Sequence, residues 1–458
     1  MMIHRVGRAW LAPGAAFVLA LVLRMVDLGR VKALVFDEAY YVPQAWSLLN
    51  YGIERKFAKD GQSVFVSGDF AGAFTSGGDF TVHPPLGKWL IALGETAGAS
   101  QPWTWRISAA VAGALIAALV AAMAIHLTRS SWWGGFGGVL LAVEGTSLVE
   151  GRTGILDTFL TLFVVAGAAA ALMDRDDPTP GRFRRWRLAA AVCLGLATGV
   201  KFSGAVFLVV FILLAIAWDV RRRPLSAARS IGVAARTLVT ISVPAAAAYT
   251  LSWAGWFLSP DGHGRDGSDG LLMNWIHNQT DMLALGGAIS SAHHWQSGPW
   301  AWLIQWRPTM FYVVTAPCEG TTGTCSQTIT SLGTVPIWWV GIVALVGLGW
   351  LLARHRDRDA AFILAFFAAG YLPWWFLTNR TIYAFYTVTI APFVILAIVL
   401  CLYRLQRSQA HRRVLAQPAA LLLLAAAIAW LWLYWPVYIG IPIPQGESAR
   451  LLFWEGWQ

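Results

Sequence analysis

Long apolar runs recur along the whole sequence, and they constrain the fold more than any other feature. A helix needs about 20 apolar residues to cross a bilayer, and most of these runs approach that length. Apolar residues make up 57% of the chain and charged residues 13%, against about 25% charged in soluble domains. The sequence therefore predicts an all-α polytopic membrane protein with about eleven transmembrane helices. The predicted spans are about 10–28, 105–128, 132–149, 154–173, 188–201, 203–219, 236–257, 336–353, 360–378, 382–403 and 414–438.

The distribution of arginine orients these spans. Cytoplasmic loops carry an excess of Lys and Arg, and a cytoplasmic N-terminus would place twenty of the 34 Lys and Arg residues inside. These are Arg5, Arg8, Arg129, Arg175, Arg182, Arg184, Arg185, Arg187, Arg221, Arg222, Arg223, Arg229, Arg236, Arg354, Arg356, Arg358, Arg404, Arg407, Arg412 and Arg413. The C-terminal tail is then outside, and the net charge of +10 reflects these loops rather than a nucleic-acid partner. The first run shows no cleavage site and is predicted to remain as a helix.

Two long outside segments, about 29–104 and 258–335, interrupt the spans. In the first, residues 59–79 are polar and Gly-rich and are predicted to form a loop. Residues 86–97 are apolar but too few to span comfortably, so we expect a helix lying in the membrane interface. In the second, residues 259–270 are rich in Gly and Asp and are predicted to form turns. By eye the chain shows no internal repeat, which counts against many secondary transporters.

Two adjacent carboxylates, Asp37 and Glu38, lie just beyond the first span among apolar and aromatic neighbours. A carboxylate at mid-bilayer costs about 2.5–3.5 kcal/mol, so charge close to the hydrocarbon suggests function. The alternative is a helix cap, or an interfacial pair solvated by lipid headgroups.

Other ionisable residues map to the same side of the membrane as this pair. They are His83, Lys88, Arg106, Glu150, Arg152, Asp157, Lys201, His293, His294, Arg307 and Arg380. Carboxylates, histidines and cations gathered at one interface suggest a site for an anionic amphiphile. Each has a structural alternative: Arg106 and Arg380 could snorkel to headgroups. Asp157 could pair with Arg152, and the histidines could be satisfied loop residues. No His/Asp cluster has metal-ligand spacing, so no metal site is predicted.

The four cysteines divide into two pairs by location. Cys318 and Cys325 share the second outside segment, where an oxidising compartment would permit a disulfide that closes a tight loop. Cys193 and Cys401 fall inside predicted spans and are expected to be small apolar fillers.

Several short motifs, spread over most of the chain, carry a family resemblance. They are Phe36-Asp37-Glu38, His83-Pro84-Pro85-Leu86-Gly87-Lys88, Trp105-Arg106, Glu150-Gly151-Arg152 with Leu156-Asp157, Gly199-Val200-Lys201-Phe202-Ser203-Gly204, Ser252-Trp253-Ala254-Gly255-Trp256-Phe257 and His294-Trp295-Gln296-Ser297-Gly298-Pro299-Trp300 with Arg307-Pro308. In this order they resemble the protein O-mannosyltransferases, integral-membrane enzymes of the C-type glycosyltransferase (GT-C) fold. Eukaryotic members carry a β-trefoil domain in the second long loop. The loop here has about 78 residues and cannot hold one, so the resemblance is to the bacterial, actinobacterial-type branch.

The resemblance implies one integral-membrane domain over 1–458 that transfers mannose, with inversion, from polyprenyl-phosphate-mannose to Ser/Thr hydroxyls of exported polypeptides. Asp37 matches the family's general base. Adjacent helical residues point about 100° apart, so Glu38 is expected to position the acceptor or the sugar instead. Fixed cations should stabilise the departing lipid phosphate, and the candidates are Arg106, Lys201, His83 and Lys88. Arg152, Asp157, His293, His294, Arg307 and Arg380 complete the predicted substrate-binding set.

The implied setting is the bacterial plasma membrane, with an extracytoplasmic active site among membrane lipids. We expect no cofactor beyond the lipid-linked donor, and an association with the protein-export translocon is a further prediction. Two other readings stay open from the residues. One is a GT-C lipid-linked sugar transferase that acts on a cell-envelope glycan or lipid A. The other is a transporter or flippase for lipid-linked sugars, which should place ionisable residues at mid-membrane instead of at one face.

Overall fold

The structure is a computed structural model that describes residues 10–177, 184–221, 226–265, 269–319, 322–377, 379–408 and 410–457. Five of the arginines that are predicted to be cytoplasmic are not among the described residues, namely Arg5, Arg8, Arg182, Arg222 and Arg223. The side chains of Arg412 and Arg413 are not described either. The chain divides into two compact units. Unit one comprises residues 1–40, 97–158 and 288–458, and unit two comprises residues 41–96 and 159–287. The single domain over 1–458 stays a prediction.

Helices dominate both units, and their bounds run as follows in chain order. The first half contains α1 (Leu11–Met25), α2 (Glu38–Tyr51), β1 (Arg55–Phe57), α3 (Gly61–Val66), β2 (Phe74–Gly78), α4 (Leu86–Glu95), α5 (Pro102–Thr128), α6 (Ser131–Ala142), α7 (Gly145–Glu150), α8 (Asp157–Asp176), α9 (Arg185–Val200) and α10 (Gly204–Arg221). The second half contains α11 (Ala227–Ser252), α12 (Ala254–Leu258), α13 (Leu271–Ala288), α14 (Pro299–Leu303), β3 (Thr309–Pro317), β4 (Thr324–Ser331), α15 (Val335–His355), α16 (Arg358–Tyr371), α17 (Ala391–Gln406), α18 (Ala410–Ile439), β5 (Ile443–Pro444) and α19 (Gln445–Leu451). Short 3₁₀ helices cover Leu372–Trp375, Ala384–Thr389 and Glu455–Trp457.

The helical class predicted from the apolar runs is confirmed, and two small β-sheets are added to it. Six helices within the described residues are long and apolar enough to cross a membrane. They are Pro102–Thr128, Asp157–Asp176, Gly204–Arg221, Ala227–Ser252, Val335–His355 and Val414–Ile439. Leu11–Met25 and Ala391–Gln406 are apolar but shorter. The predicted count of eleven is therefore not confirmed.

Two predicted spans are broken by identifiable residues. Span 132–149 is interrupted between α6 and α7, because the Glu144 carboxylate accepts hydrogen bonds from the backbone N–H groups of Thr146 (3.1 Å) and Ser147 (2.7 Å) and starts a new helix. Span 360–378 ends as α-helix at Tyr371 and continues in 3₁₀ form through Pro373. Proline lacks the N–H that a helix interior needs.

Unit one brings α1, α5 and α6 together through small residues. A Cβ added at Gly138 of α6 would lie only 2.6 Å from the Ala16 Cβ and 2.9 Å from the Ala121 Cβ, so glycine is what allows this close approach. The unit also holds the three-stranded sheet β3-β4-β5. A disulfide between Cys318 and Cys325 closes the turn of the β3–β4 hairpin.

Unit two contains α9, α10 and α11, and glycine again allows a close helix contact. A Cβ at Gly195 would lie 2.7 Å from the Ala245 Cα. The ends of α8, α9 and α10 carry a largely buried ion network in which Arg184 and Arg187 both contact Asp174 and Asp219. This network lies at the predicted cytoplasmic side. Its charged side chains pair with one another, so we assign it a structural role.

The predicted loop over residues 59–79 was wrong, because α3 and β2 lie within it. Aromatic residues explain the order: the Phe57 and Phe74 rings stack at 5.3 Å, and Trp46 stacks on Phe74 at 5.7 Å. Glycine and polar content concealed this cluster in the sequence. The helix expected over 86–97 exists as α4, and its interfacial location stays a prediction. Residues 259–265 form turns as expected, and 266–268 lie outside the described residues.

Candidate active site

The turn that carries the carboxylate pair has an unusual backbone. Phe36 is one of the few non-glycine residues with a positive φ, 48°. Such a conformation costs roughly 1–3 kcal/mol and persists where the surroundings enforce it, often at functional sites. Here the side chain of Glu38, the first residue of α2, accepts a hydrogen bond from the Val35 N–H at 2.9 Å. This bond connects the start of the turn to the start of the helix.

Glu38 is fully buried and surrounded by donors. Arg106 contacts both of its carboxylate oxygens, Nε to Oε1 and Nη2 to Oε2, at 2.8 Å each. The Gly154 N–H donates to Oε1 at 2.7 Å, in addition to the Val35 bond to Oε2. Four donors on one carboxylate leave it little freedom to move. Glu38 therefore acts as a fixed anchor.

Arg106 uses every N–H of its guanidinium within unit one. Besides the two bonds to Glu38, it donates to the backbone carbonyls of Leu28 (3.2 Å), Val31 (2.8 Å) and Ala33 (3.0 Å). The side chain is 3% exposed, so the alternative in which Arg106 snorkels to headgroups is wrong. The five donors of a guanidinium are thus all engaged, and they tie the segment before α2 to the start of α5.

Two further arginines hold the end of α1. Arg152 donates to the carbonyls of Leu23 (3.2 Å), Arg24 (2.7 Å) and Asp27 (3.3 Å). Burial lowers the pKa of Arg152 to about 9, and the neighbouring charges of Arg106 and Arg24 add to the effect. Arg24 bonds the Ser147 carbonyl and hydroxyl at 3.0 Å each. Guanidinium groups therefore satisfy the carbonyls that the end of a helix leaves open.

Asp37 differs from its neighbour because its side chain is only partly buried. Its charge acts on the hydroxyl groups of Tyr383 and Tyr386, and so does the charge of Arg380. Asp157, the first residue of α8, also acts on Tyr386. The charges of Asp37 and Arg380 thus reach both tyrosines, and that of Asp157 reaches Tyr386.

Arg380 has spare hydrogen-bonding capacity in this group. Its guanidinium carbon lies 6.0 Å from the centre of the Trp374 ring, a cation–π distance. Its Nε is buried, and no hydrogen bond to a described residue satisfies it. A buried donor without a partner is costly, which makes Arg380 a candidate for binding an anionic ligand.

An aromatic cluster surrounds Phe36, the residue before Asp37. The Phe36 ring stacks on Phe311 of β3 at 4.7 Å and contacts Phe385 edge-on at 5.4 Å. Tyr383 and His293 also contact the Phe36 ring, at 5.9 and 6.4 Å. Three separate segments of unit one therefore converge on the turn that presents Asp37.

Arg307 and His294, two other predicted site residues of unit one, contact each other. Arg307 donates from Nη2 to the His294 carbonyl at 2.6 Å, and the His294 ring packs edge-on against Trp295 at 4.6 Å. His294 is exposed and Arg307 is partly buried. Their contacts organise the segment before β3.

The remaining predicted residues, His83, Lys88 and Lys201, belong to unit two. Lys88 is buried, with Nζ 2.6 Å from Glu54 Oε1 and 3.1 Å from the His83 carbonyl that accepts its hydrogen bond. The motif from His83 to Lys88 is thereby tied together at its two ends. Lys201 is buried and follows the last residue of α9 in extended conformation.

Sequence reasoning missed four residues of this arrangement: Arg24, Glu54, Tyr383 and Tyr386. Arg24 did carry a signal, because a lone arginine inside an apolar run must find internal partners. The others lacked a comparable signal. Within the described part of the chain, no group of three or more His, Cys, Asp or Glu residues could hold a metal ion.

Comparison with known proteins identifies the family. The model of the dolichyl-phosphate-mannose-protein mannosyltransferase family matches residues 14–255. The polyprenol-phosphate-mannose–protein mannosyltransferase of Mycobacterium tuberculosis is 32% identical over 98% of this chain and 91% of its own length. The protein of the same name from Corynebacterium glutamicum is 30% identical over 96% of this chain and 92% of its own.

The fold also has a solved counterpart. One chain of the S. cerevisiae protein O-mannosyltransferase Pmt1-Pmt2 complex, solved bound to the sugar donor, matches 98% of this chain and 93% of its own length, with a TM-score of 0.78 and 14% identity. The fold is thus that of the GT-C membrane glycosyltransferases. From the sequence match and the relatives that cover nearly its whole length, the chain belongs to the dolichyl-phosphate-mannose-protein mannosyltransferase family.

Proposed function

We propose that this chain transfers mannose, with inversion, from polyprenyl-phosphate-mannose to Ser or Thr hydroxyls of exported polypeptides. The reaction would take place on the extracytoplasmic face of the bacterial plasma membrane. The names of the full-length relatives support this donor and a protein acceptor. The observation that carries the chemical assignment is the contrast within one dipeptide, because Glu38 is enclosed by donors while Asp37 is partly exposed.

Asp37 is the proposed general base. A hydroxyl is a weak nucleophile, so a carboxylate must accept its proton as the oxygen attacks the anomeric carbon. Glu38 is poorly suited to this step, because Arg106 and two backbone N–H groups already occupy its oxygens. The strained turn at Phe36 would hold Asp37 in the orientation that the attack requires.

Arg380 is the proposed partner of the lipid phosphate. As the bond from the anomeric carbon to the phosphate oxygen breaks, its electron pair leaves with the phosphate, which gains negative charge. A fixed cation with an unsatisfied donor stabilises that charge most in a water-poor site. Arg380 meets this description and acts on the same tyrosines as Asp37.

The other predicted residues keep proposed roles that their contacts refine. Arg106 and Arg152 would position the turn that carries Asp37. Lys88 would hold the motif from His83 to Lys88 in place through its ion pair with Glu54. The donor-binding roles that the family resemblance implies for Lys201 and His83 stay predictions, and Asp157 would act near Tyr386. His293, His294 and Arg307 would border the acceptor. The lipid bilayer would hold the polyprenyl tail, and an association with the export translocon stays a proposal.

The test uses the purified full-length chain with radiolabelled polyprenyl-phosphate-mannose and a Thr-containing peptide, in EDTA because no metal is expected. We expect a labelled peptide with α-linked mannose. Asp37→Asn should lower the single-turnover rate by about 10²- to 10⁴-fold with little change in donor binding. Glu447→Gln, an exposed carboxylate in α19, is the matched control.

Two outcomes would count against the proposal. If Asp37→Asn binds donor and transfers mannose at the wild-type rate, Asp37 is not the base. If the peptide stays unlabelled while an envelope glycan or lipid acceptor becomes labelled, the acceptor class is wrong and the related lipid-linked sugar transferase reading replaces it.

A further inference from the structure

The β3–β4 hairpin has an open edge that begins beside the candidate active site. The sheet order is β3-β4-β5, so β3 is an edge strand among the described residues. Thr309 and Phe311 are buried and the two residues beside Phe311 are partly buried, whereas all residues from Val313 to Pro317 are exposed. Exposed edge strands are normally protected by charged residues, because free N–H and C=O groups invite another strand to pair. The sequence of β3, TMFYVVTAP, contains no charge.

The register identifies which backbone groups face outward. The Cys318 N–H donates to the Gly323 carbonyl at 2.9 Å, and the pairing continues without a shift up to Tyr312 opposite Ile329. Hydrogen-bonded pairs alternate in an antiparallel ladder. Val313 and Thr315 therefore fall at the alternate positions and direct their N–H and C=O groups away from β4. No hydrogen bond to another described residue uses them.

A β-bulge connects this edge to the active-site turn. The register of β3 shifts between Met310 and Tyr312, so Phe311 is the extra residue. Bulges re-aim a side chain and occur next to active sites. Here the re-aimed ring of Phe311 stacks on Phe36, the residue before Asp37. Strands rise about 3.3 Å per residue, so a chain paired with Val313 would reach the Phe36 turn within a few residues.

We propose that the acceptor polypeptide binds as an added strand on the open edge of β3, in register with Val313 and Thr315. This inference rests on the proposed function and names how the same site takes its acceptor. Main-chain pairing can bind any extended segment, because it uses backbone groups and does not depend on the identity of the side chains. Such pairing would let acceptor segments of different sequence bring a Ser or Thr hydroxyl to Asp37. The uncharged edge would accept a neutral acceptor segment without desolvating a charge.

The first experiment keeps the wild-type protein and changes the peptide. A ten-residue peptide of Ala and Val with a single Thr is N-methylated at one backbone nitrogen at a time. Each methyl group removes one donor and blocks one side of the strand. We expect the peptide KM to rise by about tenfold at every second position and by less than about twofold at the positions between. The donor KM should not change.

The second experiment changes the edge itself. Val313→Pro removes an outward N–H that takes no part in the ladder to β4, and Val313→Thr is the matched control that keeps the N–H. We expect Val313→Pro to raise the peptide KM by about tenfold with an unchanged donor KM, and Val313→Thr to behave as wild type. A photo-crosslinking residue substituted for Val313 should attach to the peptide.

The outcomes separate this inference from the function on which it rests. Equal effects of N-methylation at neighbouring positions, or an unchanged peptide KM in a folded Val313→Pro variant, would overturn the added-strand inference while mannose transfer stands. A crosslink between two copies of the chain that peptide does not displace would assign the edge to self-association instead. Failure of the wild-type protein to label any peptide would remove the proposed function first.

Discussion

Arg106 holds Glu38 through two parallel hydrogen bonds of 2.8 Å, and neither side chain is more than 3% exposed. The two residues lie 68 positions apart in the sequence. Their pairing connects the start of α5 to the start of α2, and the remaining donors of Arg106 fix the connecting turn. The residue beside this anchor, the partly buried Asp37, is thereby held in place.

Removing one partner of this buried pair should destabilise the protein strongly. Arg106→Ala leaves the Glu38 carboxylate buried without its cation, which typically costs about 3–5 kcal/mol. Arg30→Ala is the matched control, because Arg30 pairs with Asp27 at a more exposed position in the same turn, where a pair contributes about 0–1 kcal/mol. The free energy of unfolding in detergent, from denaturant titration, measures both. Similar losses for the two variants would contradict the anchoring role.

Arg380 should affect donor binding and turnover together. A cation on the donor phosphate acts in the ground state and more strongly as charge develops, so Arg380→Ala should raise the donor KM and lower the single-turnover rate by about 10²–10³. Arg380→Lys keeps the charge but loses the planar fork and should be intermediate. Arg450→Ala, an exposed arginine of α19, controls for loss of charge. A normal rate in Arg380→Ala would assign the phosphate to another cation.

Glu95 should make stability depend on pH. Burial raises the pKa of Glu95 well above its usual value near 4.5, and both carboxylate oxygens lack a hydrogen bond to a described residue. A raised folded-state pKa gives stability that is full below the unfolded value and is lost as the pH rises toward the folded value. Glu95→Gln should therefore raise the melting temperature at pH 8 more than at pH 5, whereas Glu447→Gln should change neither. An equal effect at both pH values would show that Glu95 is ionised in the folded protein.

The hairpin disulfide should be detectable and modest in effect. Peptide mapping without reduction should recover Cys318 and Cys325 in one crosslinked peptide, with Cys193 and Cys401 free. Because the closed loop is short, Cys318→Ser should lower the free energy of unfolding by about 2 kcal/mol. Two freely alkylated thiols at positions 318 and 325 in fresh membranes would contradict the pairing.

The arginine distribution predicts the membrane topology. Reporter fusions at Arg222 and Arg356 should report the cytoplasm, and fusions at Gly262 and the C-terminus should report the outside. A cytoplasmic C-terminus would rule out an odd number of spans with an inside N-terminus. The two long segments that carry the candidate site would then need a new assignment.

Much of the fold and the family followed from the sequence. Apolar runs predicted a mainly helical membrane protein because a bilayer leaves few other ways to satisfy a backbone. The Asp37-Glu38 pair stood out because charge beside hydrocarbon is costly, and the ordered motifs identified the family. Helix breaks were harder to predict: Glu144 and Pro373 act within otherwise apolar stretches, and their effect depends on local hydrogen bonding.

Which charged residue finds which partner was decided by the tertiary structure. The sequence shows that Arg106, Lys88 and Arg380 carry charge near the membrane surface, and that a buried charge must find a partner. It cannot show the partner, because partners come from distant segments that only packing brings together. Arg106 meets Glu38 and Lys88 meets Glu54, whereas Arg380 keeps an unsatisfied Nε. A fixed burial cost can therefore be read from sequence, but the geometry that offsets it exists only in the folded chain.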